Sequence, residues 1–107
     1  MIMRRPERVG IERMAAYPCT LALDMRELAE ARDHDPRHPI EELWVTGRSL
    51  NPPWEDPVTM AVNAALQVVS PQDREDIELV IVGTESSPDS GKPMSTYVQR
   101  WCQIQPN

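Results

Sequence analysis

Residues 77–83 read IELVIVG, an apolar run rich in β-branched side chains. Runs of this kind are typical of a central strand covered on both faces, where the alternation between wet and dry sides disappears. Such a strand needs a neighbour at each edge. The sequence offers one other strand candidate, residues 9–19 (VGIERMAAYPC), in which Val9 and Ile11 alternate with Gly10 and Glu12 and Pro18 closes the segment. Two strands do not make a stable parallel sheet with both faces covered. The pattern alone therefore predicts a piece of a larger α/β body.

The helices have local signals. Asp24 reads as an N-cap with Glu27 three residues on, as in a capping box, and Met25, Leu28 and Ala29 share a face, so a short helix is expected over about residues 25–32. Residues 33–39 (DHDPRHP) read as a loop, residues 40–44 as one helical turn, and residues 47–53 (GRSLNPP) as irregular. The strongest helix opens at Asp56-Pro57, with Asp56 as N-cap and Pro57 at the first helical position, where its missing N–H costs nothing. Val58, Ala61, Val62, Ala65, Leu66 and Val69 form its apolar stripe, and Ser70-Pro71 ends it. After the run at 77–83, a PDSGKP turn leads to a last helix over about residues 94–103. The order β, α, irregular, α, β, α implies a layered α/β arrangement.

Charge and composition narrow the function. A formal net charge of -6 and a pI near 4.8 disfavour nucleic acid and anionic lipid as partners. No apolar run approaches the roughly 20 residues of a bilayer span, so no membrane association is expected. Residues 1–8 are Arg-rich without an apolar segment to follow, which does not read as a secretory signal. Cys19 and Cys102 are too few for a disulfide framework and are expected to be reduced thiols of a cytoplasmic protein.

Few residues point to chemistry by themselves. Glu85 lies two residues past Gly83, at the carboxyl end of the apolar run, where open α/β sheets gather ligands; a solvated glutamate at a strand end is the alternative. His34 and His38 stand four apart beside Asp33 and Asp35, but Pro36 between them argues against a helix that would align them. A solvated loop and no metal is the expectation there. Trp44, Trp54 and Trp101 are expected in core or subunit packing. Ser86 and Ser87 lack a G-x-S-x-G elbow, and no histidine follows them.

Three stretches carry a resemblance: VGIERMAAYPCTLALDMRELAEARD at 9–33, PPWEDPVTMAVNAA at 52–65, and IELVIVGTESSPDSGKPMSTYVQRWCQIQPN at 77–107. Together they resemble the N-terminal segment of the 3-hydroxy-3-methylglutaryl-CoA synthase family. The E-D-P-V-T-x-x-V-N-A-A and E-S-x-x-D-x-G-K-x-x-S-T-Y wording is nearest to the polyketide β-branching members, which act on acyl carrier proteins. The resemblance implies that residues 1–107 form one segment of a thiolase-like α/β/α/β/α fold, incomplete on its own. Such enzymes use a Cys, a His and a Glu. By motif position the Glu is Glu85, and the nucleophilic Cys is expected soon after Asn107, with the His much later. Cys102 falls inside the last helix and is not assigned that role.

The chemistry implied is a Claisen-like addition. An acetyl group is loaded on the Cys, a base takes a proton from its methyl, and the carbanion equivalent attacks the β-keto carbon of a second thioester. Hydrogen-bond donors must share the enolate charge, since a lone carboxylate is a weak base for a carbon acid. The resemblance further implies no cofactor beyond phosphopantetheine-borne substrates, a complementary or missing stretch carrying Cys and His, donor and acceptor carrier proteins as partners, and a dimer of complemented units. Arg48 falls where family members place a basic residue near the pantetheine entrance, and Lys92 and Ser95 belong to the matched motif, either at the site wall or capping the last helix; all three are secondary binding candidates. A CoA-dependent synthase, a ketosynthase III-like segment and a non-catalytic accessory subunit remain open. Alone, the chain is expected to be poorly soluble or partly unfolded, because a strand at 77–83 would have bare edges.

Overall fold

The computed structural model describes residues 8–105. Most of the Arg-rich opening, and Pro106 and Asn107 at the end of the third matched stretch, lie outside the described residues. Two strands and three helices run in the order β1 (Leu21–Asp24), α1 (Met25–Ala31), β2 (Gly47–Leu50), α2 (Pro57–Leu66) and α3 (Met94–Trp101). A π-helical turn at His38–Glu42 and a 3-10 turn at Asp73–Glu75 connect them.

The helices begin where their local signals put them, but α2 ends at Leu66, short of Val69 and the Ser70-Pro71 stop, and among the described residues α1 shows no reciprocal Glu27 bond to close a capping box. Asp24 accepts from the backbone N–H of Arg26 and Glu27, which relieves two orphan donors of α1. Asp56 accepts from the Thr59 N–H at 2.8 Å while the Thr59 hydroxyl oxygen accepts from the Asp56 N–H at 2.8 Å, closing a full capping box around Pro57. α2 and α3 pack together. Their core is Val98, Cys102 and Ile104, covered by Ala61, Val62, Ala65 and Val69 from the α2 side. α3 stops two residues short of its expected end, where Gln103 turns left-handed with φ 56°.

The strands are not where the sequence suggests. Residues 9–19 form no strand, and Val9 and Ile11 stand exposed. The run at 77–83 joins no ladder. Ile77, Val80 and Val82 do pack on the α3 core, but Leu79 and Ile81 on the other side are 74% and 81% exposed. A strand exists only through hydrogen bonds to a neighbour, and neither segment meets one among the described residues. Residues 47–50, expected to be irregular, instead pair antiparallel with β1 from Leu21↔Leu50 to Asp24↔Gly47. The helical turn expected at 40–44 instead spans His38–Glu42, and beyond it Trp44, left-handed with φ 55°, ends any helical path.

Candidate functional site

The apolar run delivers the chain into a loop, residues 84–92, held by short side-chain-to-backbone bonds. The Thr84 hydroxyl oxygen accepts from the Ser86 N–H at 3.0 Å. The Ser87 hydroxyl donates to the Asp89 carbonyl at 2.8 Å. Asp89 then turns the chain: its Oδ1 accepts from the Gly91 N–H at 2.8 Å and the Lys92 N–H at 3.1 Å, the habit of an Asp in a tight turn. Its Oδ2 accepts from the Tyr97 hydroxyl at 3.3 Å. The Gly91 and Lys92 amides, with help from Tyr97 and the Lys92 charge, hold the Asp89 carboxyl below the usual carboxylate range. Burial first, and then the Asp89 charge, pushes the Tyr97 phenol up. The Lys92 ammonium sits 4.2 Å from the centre of the Tyr97 ring, a cation–π contact.

Glu85 rides on this loop with its carboxylate exposed and no ion pair among the described residues. A free, wet carboxylate at the end of an apolar run is available to an incoming group. Ser95 lies in the first turn of α3 and lines a cleft of about 340 Å³ between α3 and Ile77, Leu79 and Val80. It does not cap α3, and neither does Lys92: Pro93 is the N-cap and offers no side-chain bond. Lys92 and Ser95 thus share the loop and helix start with Glu85.

Arg48 is elsewhere. It sits on β2 opposite Leu23, exposed, beside Met25, Leu28, Arg32, His34 and His38 around a cleft of about 470 Å³. The two histidines do not converge on a cation site: His38 Nδ1 lies 2.7 Å from Glu42 Oε2, and Asp35 is held by Arg37, which keeps its carboxyl below the usual range. Among the described residues no three His, Cys, Asp or Glu side chains gather as metal ligands. No described helix is long and apolar enough to cross a membrane.

Cys102 is fully buried in the α3 core, where desolvation raises its thiol against the opposing Arg74 charge. Enclosed in this way, the thiol offers no accessible thiolate. The three tryptophans are not core residues: Trp44, Trp54 and Trp101 are all largely exposed. Sequence reasoning passed over Asp89 and Tyr97 as a pair, although an Asp two residues before a Gly is a turn signal. It also missed Tyr17, whose hydroxyl donates to Glu55 Oε1 at 2.5 Å, while Glu55 Oε2 is buried without a partner among the described residues. No local pattern announces a contact across that separation.

No family model matches the chain. Individual proteins do. The chain is 38% identical to the hydroxymethylglutaryl-CoA synthase of Enterococcus faecalis over 92% of its own length and 26% of that protein's. It is 38% identical to the polyketide biosynthesis 3-hydroxy-3-methylglutaryl-ACP synthase PksG of Bacillus subtilis (strain 168), again over 92% of its length and 24% of the relative's. The fold superposes on an HMG-CoA synthase crystallised with CoA at a TM-score of 0.76 and 36% identity, over 91% of this chain and 25% of that one. It also superposes on the HMG synthase of the curacin biosynthetic pathway in complex with acetyl donor-ACP, with a TM-score of 0.71 and 38% identity over 90% of this chain and 24% of that one. The chain therefore spans about a quarter of the length of the proteins it matches.

Proposed function

Because the chain belongs to the hydroxymethylglutaryl-CoA synthase family, of whose members it spans about a quarter, we propose that it is the glutamate-bearing part of a hydroxymethylglutaryl synthase-type condensing enzyme. The reaction is addition of an acetyl unit, delivered by a carrier protein, to a β-keto thioester on a polyketide acyl carrier protein. One observation carries this reading: sequence identity and backbone superposition agree over nine-tenths of the chain with synthases that make this class of bond. We take the segment as part of a thiolase-like α/β/α/β/α body, assembled as a dimer, with Cys and His supplied by the stretch that makes up the rest of such a body. A cytoplasmic setting fits two free thiols.

In this reading Glu85 is the acid/base. Its carboxylate takes a proton from the methyl of the cysteine-bound acetyl group. The carbanion equivalent attacks the ketone carbon of the acceptor, forming the new C–C bond and leaving a tertiary alkoxide. The Glu85 carboxylic acid returns its proton to that alkoxide, so the carboxylate is regenerated, and water then cleaves the thioester that still joins the product to the cysteine, freeing the thiol and leaving a terminal carboxylate. Glu85 is exposed at the loop after the apolar run, with no internal partner among the described residues to compete for it. Lys92 and Ser95 flank the same loop and suit the wall of the site, and Arg48 suits a phosphopantetheine phosphate.

CoA thioesters are the second reading, favoured by the equal identity to a CoA-type and an ACP-type relative. One experiment separates them. This chain is assembled with the remaining synthase stretch and mixed with acetyl-loaded donor and acetoacetyl-loaded acceptor carriers, or with the CoA thioesters. Intact mass of the acceptor is followed, beside Glu85→Ala. A hydroxymethylglutaryl adduct on the carrier, lost in Glu85→Ala, is the expected result. An adduct on CoA alone selects the second reading. No adduct from either, with the complex intact, identifies an accessory subunit.

A further inference from the structure

We infer that Tyr97 is a positioning residue for Glu85, acting through Asp89. The inference rests on the reading of Glu85 as acid/base and asks what holds that carboxylate in place. Its side chain has no ion pair among the described residues, so its position is set by the backbone of the loop. That backbone belongs to no helix or strand. Its fixed points are side chains: Thr84 and Ser87 within the loop, and Asp89, whose Oδ1 gathers the Gly91 and Lys92 amides.

These bonds lie within the loop, whose flanks Val82 and Met94 are packed in the body. Among the described residues, the side chain outside the loop that bonds to it is Tyr97. Its hydroxyl donates to the free oxygen of Asp89, Oδ2, at 3.3 Å, and its ring carries the Lys92 ammonium at 4.2 Å. Both ends of the turn are thus tied to one side chain. Tyr97 in turn stands on α3 next to Val98, which is buried in the core. The route from core to carboxylate runs Val98, Tyr97, Asp89, loop, Glu85. A shift of about 1 Å in a reacting group costs on the order of a hundredfold in rate, so the tether has kinetic consequences.

The test uses the assembled synthase with two variants. Tyr97→Phe keeps the ring under Lys92 and removes the hydroxyl; Tyr97→Ala removes both. The first half-reaction, acetylation of the cysteine, is read by intact mass, and the condensation is read as kcat and KM for the acceptor. Condensation kcat is expected to fall about tenfold in Tyr97→Phe, the weight of one hydrogen bond to a charged group, and about a hundredfold in Tyr97→Ala. Cysteine acetylation and acceptor KM stay at wild-type values, because Glu85 acts only in the condensation. Equal loss of acetylation and condensation overturns the inference in favour of a general packing role. Wild-type condensation in both Tyr97 variants, with Glu85→Gln inactive, overturns the inference and leaves the acid/base reading standing. Full condensation in Glu85→Gln overturns both.

Discussion

Arg13 and Asp73 lie 60 positions apart in the chain and meet as a two-point ion pair, with Nη1 2.7 Å from Oδ2 and Nη2 2.8 Å from Oδ1. The planar guanidinium fork matches the carboxylate edge. Arg13 Nη1 also donates to the Val68 carbonyl at 2.7 Å, and Asp73 Oδ2 accepts the Ser70 amide at 2.7 Å. The segment around Arg13, which has no strand partner among the described residues, is thereby fastened to the exit of α2.

This pair predicts an acid-sensitive attachment. The Arg13 guanidinium, and next the Ser70 groups, hold the Asp73 carboxyl far below the usual range, and Asp73 with Glu12 pushes Arg13 up. A carboxyl whose pKa is depressed by folding contributes stability above its unfolded value, and loses it as pH falls toward the folded value. The Tm of the assembled protein should therefore be lower in Asp73→Asn at neutral pH, by the small amount a solvent-screened pair contributes. Between about pH 5 and pH 3 the wild type should lose more Tm than the variant. A parallel decline of the two on acidification, read by differential scanning fluorimetry, counts against the pair.

Capping gives a second prediction. Asp56→Ala removes the acceptor for the Thr59 amide and breaks the capping box of α2. The expected cost is about 1 kcal/mol of folding stability, measured by urea unfolding of the assembled protein. Condensation per folded enzyme should be unchanged, since Asp56 caps α2 while Glu85 lies on the loop after residues 77–83.

The buried thiol gives a third. Cys102→Ser places a hydroxyl where the side chain is fully enclosed, and should cost about 1–3 kcal/mol. Acetyl loading from the donor should proceed to full stoichiometry in this variant. Loss of loading with an intact fold would return Cys102 to the list of nucleophiles.

Leu79 and Ile81 give a fourth. Their exposed side chains lie on a run whose other side is already in the core. Isolated, the chain should bind a hydrophobic dye and unfold without a sharp transition. Leu79→Lys should raise its solubility and cut co-purification with the remaining synthase stretch at least tenfold. A sharp, concentration-independent melt of the isolated monomer would sink the prediction.

The sequence alone determined what local chemistry decides. Asp24, Asp56 with Pro57, and the stripe from Val58 to Ala65 fixed α1 and α2, because a helix closes its hydrogen bonds within four residues and its caps sit at its own ends. The three matched stretches at 9–33, 52–65 and 77–107 together carried the family. Tertiary structure decided the rest. The segment at 47–50 became a strand because β1 lay beside it, while the far more strand-like run at 77–83 joins no ladder among the described residues. The tethering of the Glu85 loop by Tyr97 and the Arg13–Asp73 clasp likewise join residues that no periodicity links. The physical reason is common to all of these. A strand, an ion pair and a loop anchor take their stabilisation from a partner remote in sequence, and the identity of that partner is settled only when the chain has folded.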